Sequence, residues 1–287
     1  MNKGTIIKNI SNQYEVLFDN GEIHACVAMG KVRLDKKPLV GDHVMVETFE
    51  SQYGIQKILD RKNYLTRPAI ANVDQALIVM SSIEPDFSTT LVDRLIFLIS
   101  LADIEPVLCV TKMDLVKEND EIYSYIEDYR KSGYRVYTTG KDFDESEIIA
   151  CFENKITVLT GQSGAGKSSL LNRINPEFQL HTQKTSKALG RGKHTTRHCE
   201  LFAIGNGWVA DTPGFSSLDF SRVDLLELKD KILDFKIDEE CRFRNCVHLD
   251  EPDCAIKKAV QDGRISSIRY QNYKDIAMLI KQGKRSY

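Results

Sequence analysis

Residues 155–174 read KITVLTGQSGAGKSSLLNRI: an apolar run, a glycine-rich loop, then a stretch that continues as a helix. That is the strand, loop, helix context a Walker A phosphate-binding loop requires. Gly161, Gly164 and Gly166 permit a tight loop whose backbone N–H groups face a phosphate chain, and the amino terminus of the helix adds partial positive charge. Gln162, Ser163, Ala165 and Ser169 complete the nucleotide-binding stretch. Lys167 is placed to contact the β- and γ-phosphates and to act in catalysis, and Ser168 to ligate Mg2+.

Outward from this loop, the apolar runs QALIVM (75–80), PVLCV (106–110) and WVA (208–210) alternate with helix-like stretches at 89–102 and 120–133. Such alternation predicts an α/β domain, a parallel sheet with helices on both faces. The first 65 or so residues have a different texture. Short alternating runs, GTIIKNI, QYEVLF, EIHACVA and HVMVETF, are separated by turn signals, of which Asn20-Gly21 is the strongest hairpin mark in the chain. About five such strands suggest a small barrel; an OB-type barrel, whose face and loops commonly bind oligonucleotides, is the first choice, with an SH3-like barrel as the alternative.

Two further elements accompany the phosphate loop. WVADTPG (208–214) places Asp211 and Gly214 as a DxxG element, in which the Asp holds Mg2+ through water and the Gly amide reads the γ-phosphate. PVLCVTKMDL (106–115) resembles the guanine-recognition sequence Asn-Lys-x-Asp, with Thr111 in the first place. Its chemistry turns on Asp114, because a carboxylate accepts from guanine N1–H and the exocyclic amine, whereas adenine presents an acceptor at N1. Lys112 would lay its stem along the base and ribose. The order of these elements is rotated: TKMD precedes the phosphate loop by about fifty residues instead of following DxxG. Joining the termini of an ordinary GTPase and opening it elsewhere produces that order, which is reasonable because domain termini often lie close together.

After residue 220, Cys241-x4-Cys246-x-His248-x5-Cys254 offers three thiolates and an imidazole, the ligand set of a closed structural Zn2+ site with no position left for water. The other four cysteines are scattered singly, so no disulfide framework is expected. Of the formal net charge of -2, residues 68–160 carry -9, residues 161–220 carry +3 and the final 33 residues carry +6. The basic stretches suit either local phosphate-binding patches or solvated helix faces. The longest apolar run, Leu95 to Ala102, is far short of a membrane span, and the amino terminus lacks a signal-peptide stretch. A cytoplasmic protein with no membrane partner is expected.

With TKMD, GQSGAGKSS, GRGKHTT and DTPGF in that order, a barrel before them and a Cys/His cluster after, the chain resembles over essentially its whole length the circularly permuted GTPases of the RsgA family, small-ribosomal-subunit-dependent GTPases. The resemblance implies an N-terminal OB-type barrel (1–67), a central circularly permuted GTPase domain (68–220) and a C-terminal helical zinc-binding domain (221–287). It also implies GTP and GDP as ligands, Mg2+ with GTP, one Zn2+ per chain, and binding of a monomer to the small ribosomal subunit and its rRNA in late maturation, with hydrolysis stimulated by that subunit. Two other classes share some of these features: an ATP-using kinase built on a phosphate loop, and a zinc-dependent nucleic-acid module with a vestigial nucleotide site.

Three positions depart from common GTPase patterns or need a choice. VYTTGKD (136–142), where a Ser-Ala loop usually supports the guanine, offers Thr138 and Thr139. In ALGRGKHTTRH (188–198), Thr195 or Thr196 supplies the Mg2+-binding hydroxyl, and Lys184, Lys187, Arg191, Lys193 and Arg197 make the region suited to RNA phosphate. Phe215 stands where many GTPases place a water-positioning Gln. An apolar ring cannot orient water, so His194 is the catalytic candidate, with RNA contact as its other reading.

Overall fold

A computed structural model describes residues 1–10, 13–30, 32, 36–49, 52–66, 68–178, 199–210, 220 and 223–283. These form two compact units. The first contains five strands, β1 (Asn2–Ile10), β2 (Gln13–Phe18), β3 (Ile23–Ala28), β4 (His43–Phe49) and β5 (Gln52–Ile58), closed in the order β1–β2–β3–β5–β4. β4 returns to pair with β1, and β3 runs parallel to β5, so the barrel is the five-stranded OB type. The alternation anticipates the faces: Tyr14, Val16 and Phe18 of β2 and Val44 and Val46 of β4 are buried. At Asn20-Gly21 the glycine takes φ +86 and its N–H closes the turn on Phe18 O at 2.9 Å.

Arg61 then ties the outgoing chain to the barrel, donating from Nε and Nη2 to the buried Asp42 carboxylate at 2.7 and 2.8 Å. A short hairpin, β6 (Tyr64–Thr66) and β7 (Ala69–Ala71), leads to β8 (Gln75–Ser81), which carries the chain from the first unit into the second. Every residue of β8 is buried, as expected of a strand covered on both faces.

In the second unit β8 is followed by α1 (Thr89–Leu101), β9 (Glu105–Thr111), α2 (Glu121–Lys131) and β10 (Arg135–Thr138). The strands run in the order β10–β9–β8, with β9 and β10 parallel. Ser88 and Asp120 cap the two helices, accepting from Leu91 N and Ile122 N. The chain re-enters the first unit with α3 (Ser146–Cys151) and β11 (Ile156–Gly161), whose last residue already belongs to the second.

After the phosphate loop come α4 (Lys167–Ile174), β12 (Leu201–Ile204) and β13 (Gly207–Ala210) in the first unit. β13 is parallel to β11, as anticipated, but β12 is antiparallel to β13. The sheet is therefore mixed, with an antiparallel edge strand, a common device in large α/β sheets. Its turn at Gly205, φ +53, is too short for a crossover helix.

The remaining helices, α5 (Leu225–Lys231), α6 (Ala255–Gln261) and α7 (Ser267–Gly283), lie in the second unit. α7 is fastened to α1 by a buried polar group: Arg269 Nε donates to Asp93 Oδ1 at 3.1 Å and Asn272 Nδ2 to Asp93 Oδ2 at 2.7 Å. The same guanidinium meets Asp234 at 2.8 Å and lies over the rings of Tyr129 and Tyr134, 4.4 and 4.7 Å from their centroids. A delocalised cation between two aromatic faces keeps electrostatic partners where oxygen acceptors run out. Among the described residues no helix is long and apolar enough to cross a membrane.

Candidate functional site

The glycines of the phosphate loop all adopt positive φ: Gly161 +119, Gly164 +84 and Gly166 +88. Successive backbone N–H groups in such a loop turn toward a common centre, which is an anion-binding arrangement. Gly161 is fixed by more than its dihedral. A Cβ there would stand 2.0 Å from Val79 O of β8, so no other residue fits. Ala165 is fully buried and Ser163 exposed. Gln162 Nε2 donates to Asp86 O at 3.3 Å. Lys167 and Ser168 open α4 directly after the loop, and burial lowers the Lys167 ammonium below its usual range.

The base motif lies beside this loop in the second unit. Thr111, the residue that departs from Asn, is buried and donates its hydroxyl to Ala165 O at 2.7 Å, with Met80 O at 3.3 Å. A hydroxyl has a single proton, so the shorter contact is the hydrogen bond. The departure at position 111 thus keeps a polar tie between base motif and phosphate loop. Lys112 sits at φ +60, an uncommon conformation for a residue with a side chain. Its carbonyl accepts from Ser82 Oγ at 3.0 Å and its Nζ donates to Ile83 O at 3.1 Å and to Glu84 O. Asp114 is exposed and reachable.

The loop after β10 supports Asp114 through its backbone. Lys141 N donates to Asp114 Oδ1 at 3.0 Å, Met113 N donates to Thr139 O at 3.1 Å, and Thr139 N to Val110 O at 2.9 Å. Gly140 is required for this approach, since a Cβ there would lie 2.5 Å from Asp114 Oδ1. Thr138 and Thr139 were the residues the sequence offered for this loop; Gly140 and Lys141 were missed, although the glycine directly after the two threonines was a usable signal. His194, Thr195, Thr196, Asp211, Gly214 and Phe215, with the basic residues between 184 and 197, lie outside the described residues.

The second cluster lies wholly in the C-terminal part of the second unit. His248 Nδ1 is 3.6, 3.4 and 3.4 Å from Sγ of Cys241, Cys246 and Cys254, and Cys241 Sγ is 3.8 Å from Cys254 Sγ. A tetrahedral Zn2+ with bonds of about 2.3 Å to sulfur and 2.05 Å to nitrogen demands S···S of ~3.8 Å and S···N of ~3.6 Å. The donor spacings fit that ion. Burial holds the His248 imidazole down to about 4, in the neutral form that ligates, and pushes the Cys246 thiol up to about 12. A cation at the centre is what would hold that thiol as a thiolate at neutral pH.

The shell around these donors is satisfied. Tyr270 and Tyr273 of α7 donate to His248 O and Val247 O at 2.7 and 2.6 Å, and the Glu251 carboxylate accepts from Val247 N and Leu249 N. Cys246 and Cys254 also belong to a small buried core with Ile256, Ala259 and Ile265. A core of that size gains from a metal staple.

The chain is similar to known proteins over its whole length. The RsgA N-terminal domain family matches residues 3–55 and the RsgA GTPase family residues 58–221. The chain is 47% identical over 298 residues to the small ribosomal subunit biogenesis GTPase RsgA of Bacillus subtilis (strain 168) and 46% identical over 294 residues to that of Bacillus anthracis, covering 100% of each chain. Among solved structures, YloQ, a circularly permuted GTPase, superposes with a TM-score of 0.85 at 42% identity, covering 98% of this chain and 95% of that one. YjeQ from Thermotoga maritima gives 0.86 at 34% identity, covering 97% and 98%.

Proposed function

The chain belongs to the RsgA family of circularly permuted GTPases, and from that membership we propose how its residues divide the reaction. It is a GTPase of small ribosomal subunit biogenesis, converting GTP and water to GDP and phosphate. Asp114 selects guanine by accepting from N1–H and the exocyclic amine, while the bond from Lys141 N to Oδ1 restrains the carboxylate. Lys112 lines the base, and Thr111 sets the distance from base motif to phosphate loop.

The backbone of Gly161 to Ser169 cradles the phosphates, and Lys167 holds charge on the β- and γ-oxygens as the terminal bond lengthens. Ser168, Thr195 and Asp211 are the residues that would hold Mg2+; hydroxyl and carboxylate oxygens suit a hard cation, which when bound neutralises charge on the phosphate oxygens. Gly214 reads the γ-phosphate, and His194 orients the attacking water. Replacing His194 by Ala lowers subunit-stimulated turnover while leaving GTP and subunit affinity in place; equal stimulated rates at matched occupancy would move that role to another group.

Cys241, Cys246, His248 and Cys254 hold one structural Zn2+ per chain. The barrel (1–67), the GTPase domain (68–220) and the zinc domain (221–287) act as a cytoplasmic monomer that binds rRNA of the small subunit late in its maturation, without a membrane partner, and the subunit stimulates hydrolysis. The observation that carries the reading is the hydrogen bond from Thr111 to Ala165 O, which joins base motif and phosphate loop although they stand 54 residues apart. The test is calorimetry with GDP and ADP on the wild type and Asp114→Ala. The variant should lose the guanine preference, because an unpaired buried base edge costs roughly 1–3 kcal/mol per polar group. Undiminished GDP affinity would refute the assignment.

A further inference from the structure

Between two of the metal-site cysteines runs the sequence Cys241-Arg-Phe-Arg-Asn-Cys246, and all four residues inside it are exposed. Neither nucleotide chemistry nor the metal donors use them. The loop is pinned at both ends by cysteines whose Sγ atoms face His248, and it is closed by Cys246 N donating to Phe243 O at 3.1 Å. With the cysteines turned inward, the side chains at 242–245 are displayed outward on a short, preorganised turn. The Phe243 ring is 40% exposed, and the Arg242 guanidinium lies over it, 5.4 Å from the centroid. Arg242 also meets Asp253 at 2.7 Å, but both partners are about two-thirds exposed, and a pair of that kind contributes little and exchanges readily.

We propose that this Arg-Phe-Arg-Asn turn is a binding site for an unpaired nucleotide of RNA, with the base stacked on Phe243 and phosphate held by Arg242 and Arg244. The chemistry is complementary part by part. A π-face beside guanidinium groups is the combination that single-stranded RNA uses, stacking on the ring and pairing phosphate with the planar fork. From Cys241 to Leu249 the chain carries no acidic residue; Asp253, the carboxylate that Arg242 meets, is exposed and can give way to phosphate, and Asn245 adds an amide able to donate and accept along a base edge. The pinned turn loses little conformational freedom when a ligand binds.

The inference rests on the reading of the chain as a small-subunit factor, and the experiment separates the two. Full-length, zinc-loaded wild type, Phe243→Leu, Phe243→Trp and Arg244→Gln are titrated against purified small ribosomal subunits with a non-hydrolysable GTP analogue, over a range of salt. Phe243→Leu, apolar but without a π-face, should bind roughly tenfold more weakly, and Phe243→Trp should retain affinity. Arg244→Gln should flatten the salt dependence by about one phosphate contact. Zinc content and hydrolysis without subunits should match the wild type in all three. A photoreactive benzoyl-phenylalanine at position 243 should crosslink to rRNA. Unaltered affinity of Phe243→Leu beside a wild type that binds, or crosslinks to ribosomal protein alone, overturns the nucleotide site and leaves the function standing. A wild type that does not bind subunits overturns both.

Discussion

Arg269→Met removes a guanidinium from the most charged buried place among the described residues of the second unit and keeps most of the side chain's apolar length. Arg269 is 3% exposed, Asp93 fully buried and Asp234 8% exposed, so the change leaves two carboxylates without their shared cation. Neutral donors remain, Asn272 Nδ2 for Asp93 and the Tyr134 hydroxyl for Asp234. Removing one member of a buried pair typically costs about 3–5 kcal/mol, and the loss of the Tyr129 and Tyr134 ring contacts adds to it. With a urea m-value of about 1–3 kcal/mol/M, the midpoint should fall by more than ~1 M.

The penalty should also depend on pH. Burial already raises the Asp93 carboxyl above the usual carboxylate range, and Arg269 is the largest opposing influence, so the variant raises it further. A folded pKa above the unfolded one gives a contribution fully present below the unfolded pKa and lost as pH rises through the folded pKa. The destabilisation is therefore smallest in acid and grows toward neutral pH. Urea unfolding of the full chain followed by helical circular dichroism, repeated on Asp93→Asn and on the double variant, measures this. The double variant should be less destabilised than the sum of the singles. An unmoved midpoint, a penalty independent of pH, or strict additivity would refute the buried-pair argument.

Thr111→Val keeps the shape of the buried side chain but leaves Ala165 O without its donor at 2.7 Å; GDP affinity by calorimetry should fall by about 1–3 kcal/mol, roughly 5–150-fold, and an unchanged value would show the tie to be dispensable. Cys246→Ser should release zinc, as elemental analysis reads it, and speed hydrogen exchange in α6 and α7 while GDP binding persists. Stoichiometric zinc in the folded variant would exclude Cys246 as a ligand.

How much of this was legible depends on how local the signal is. The phosphate loop, TKMD and the Cys/His spacing declare their chemistry within a dozen residues, and Asn20-Gly21 marks its hairpin because an Asn-Gly pair reaches positive φ at little cost. The antiparallel β12 was missed: LFAI is four residues long and, unlike the anticipated runs, precedes its pairing partner by one tight turn. Thr111 read as a missing Asn until Ala165 O was found beside it. The Arg269 network could not be read at all, since Arg269 and Asn272 reach Asp93 only through the way α7 docks on α1, and Arg269 and Asp93 stand 176 positions apart in the chain. Sequence shows a charge; only packing shows that it is buried.

This chain is a GTPase of small ribosomal subunit biogenesis. Steady-state phosphate release from GTP and from ATP, each with and without purified small subunits, tests it most directly. Slow GTP turnover that rises strongly when small subunits are added, with ATP inert in both conditions, is the predicted result. ATP turnover equal to that of GTP, or GTP turnover indifferent to the subunit, would rule out a guanine-specific GTPase that responds to the small subunit.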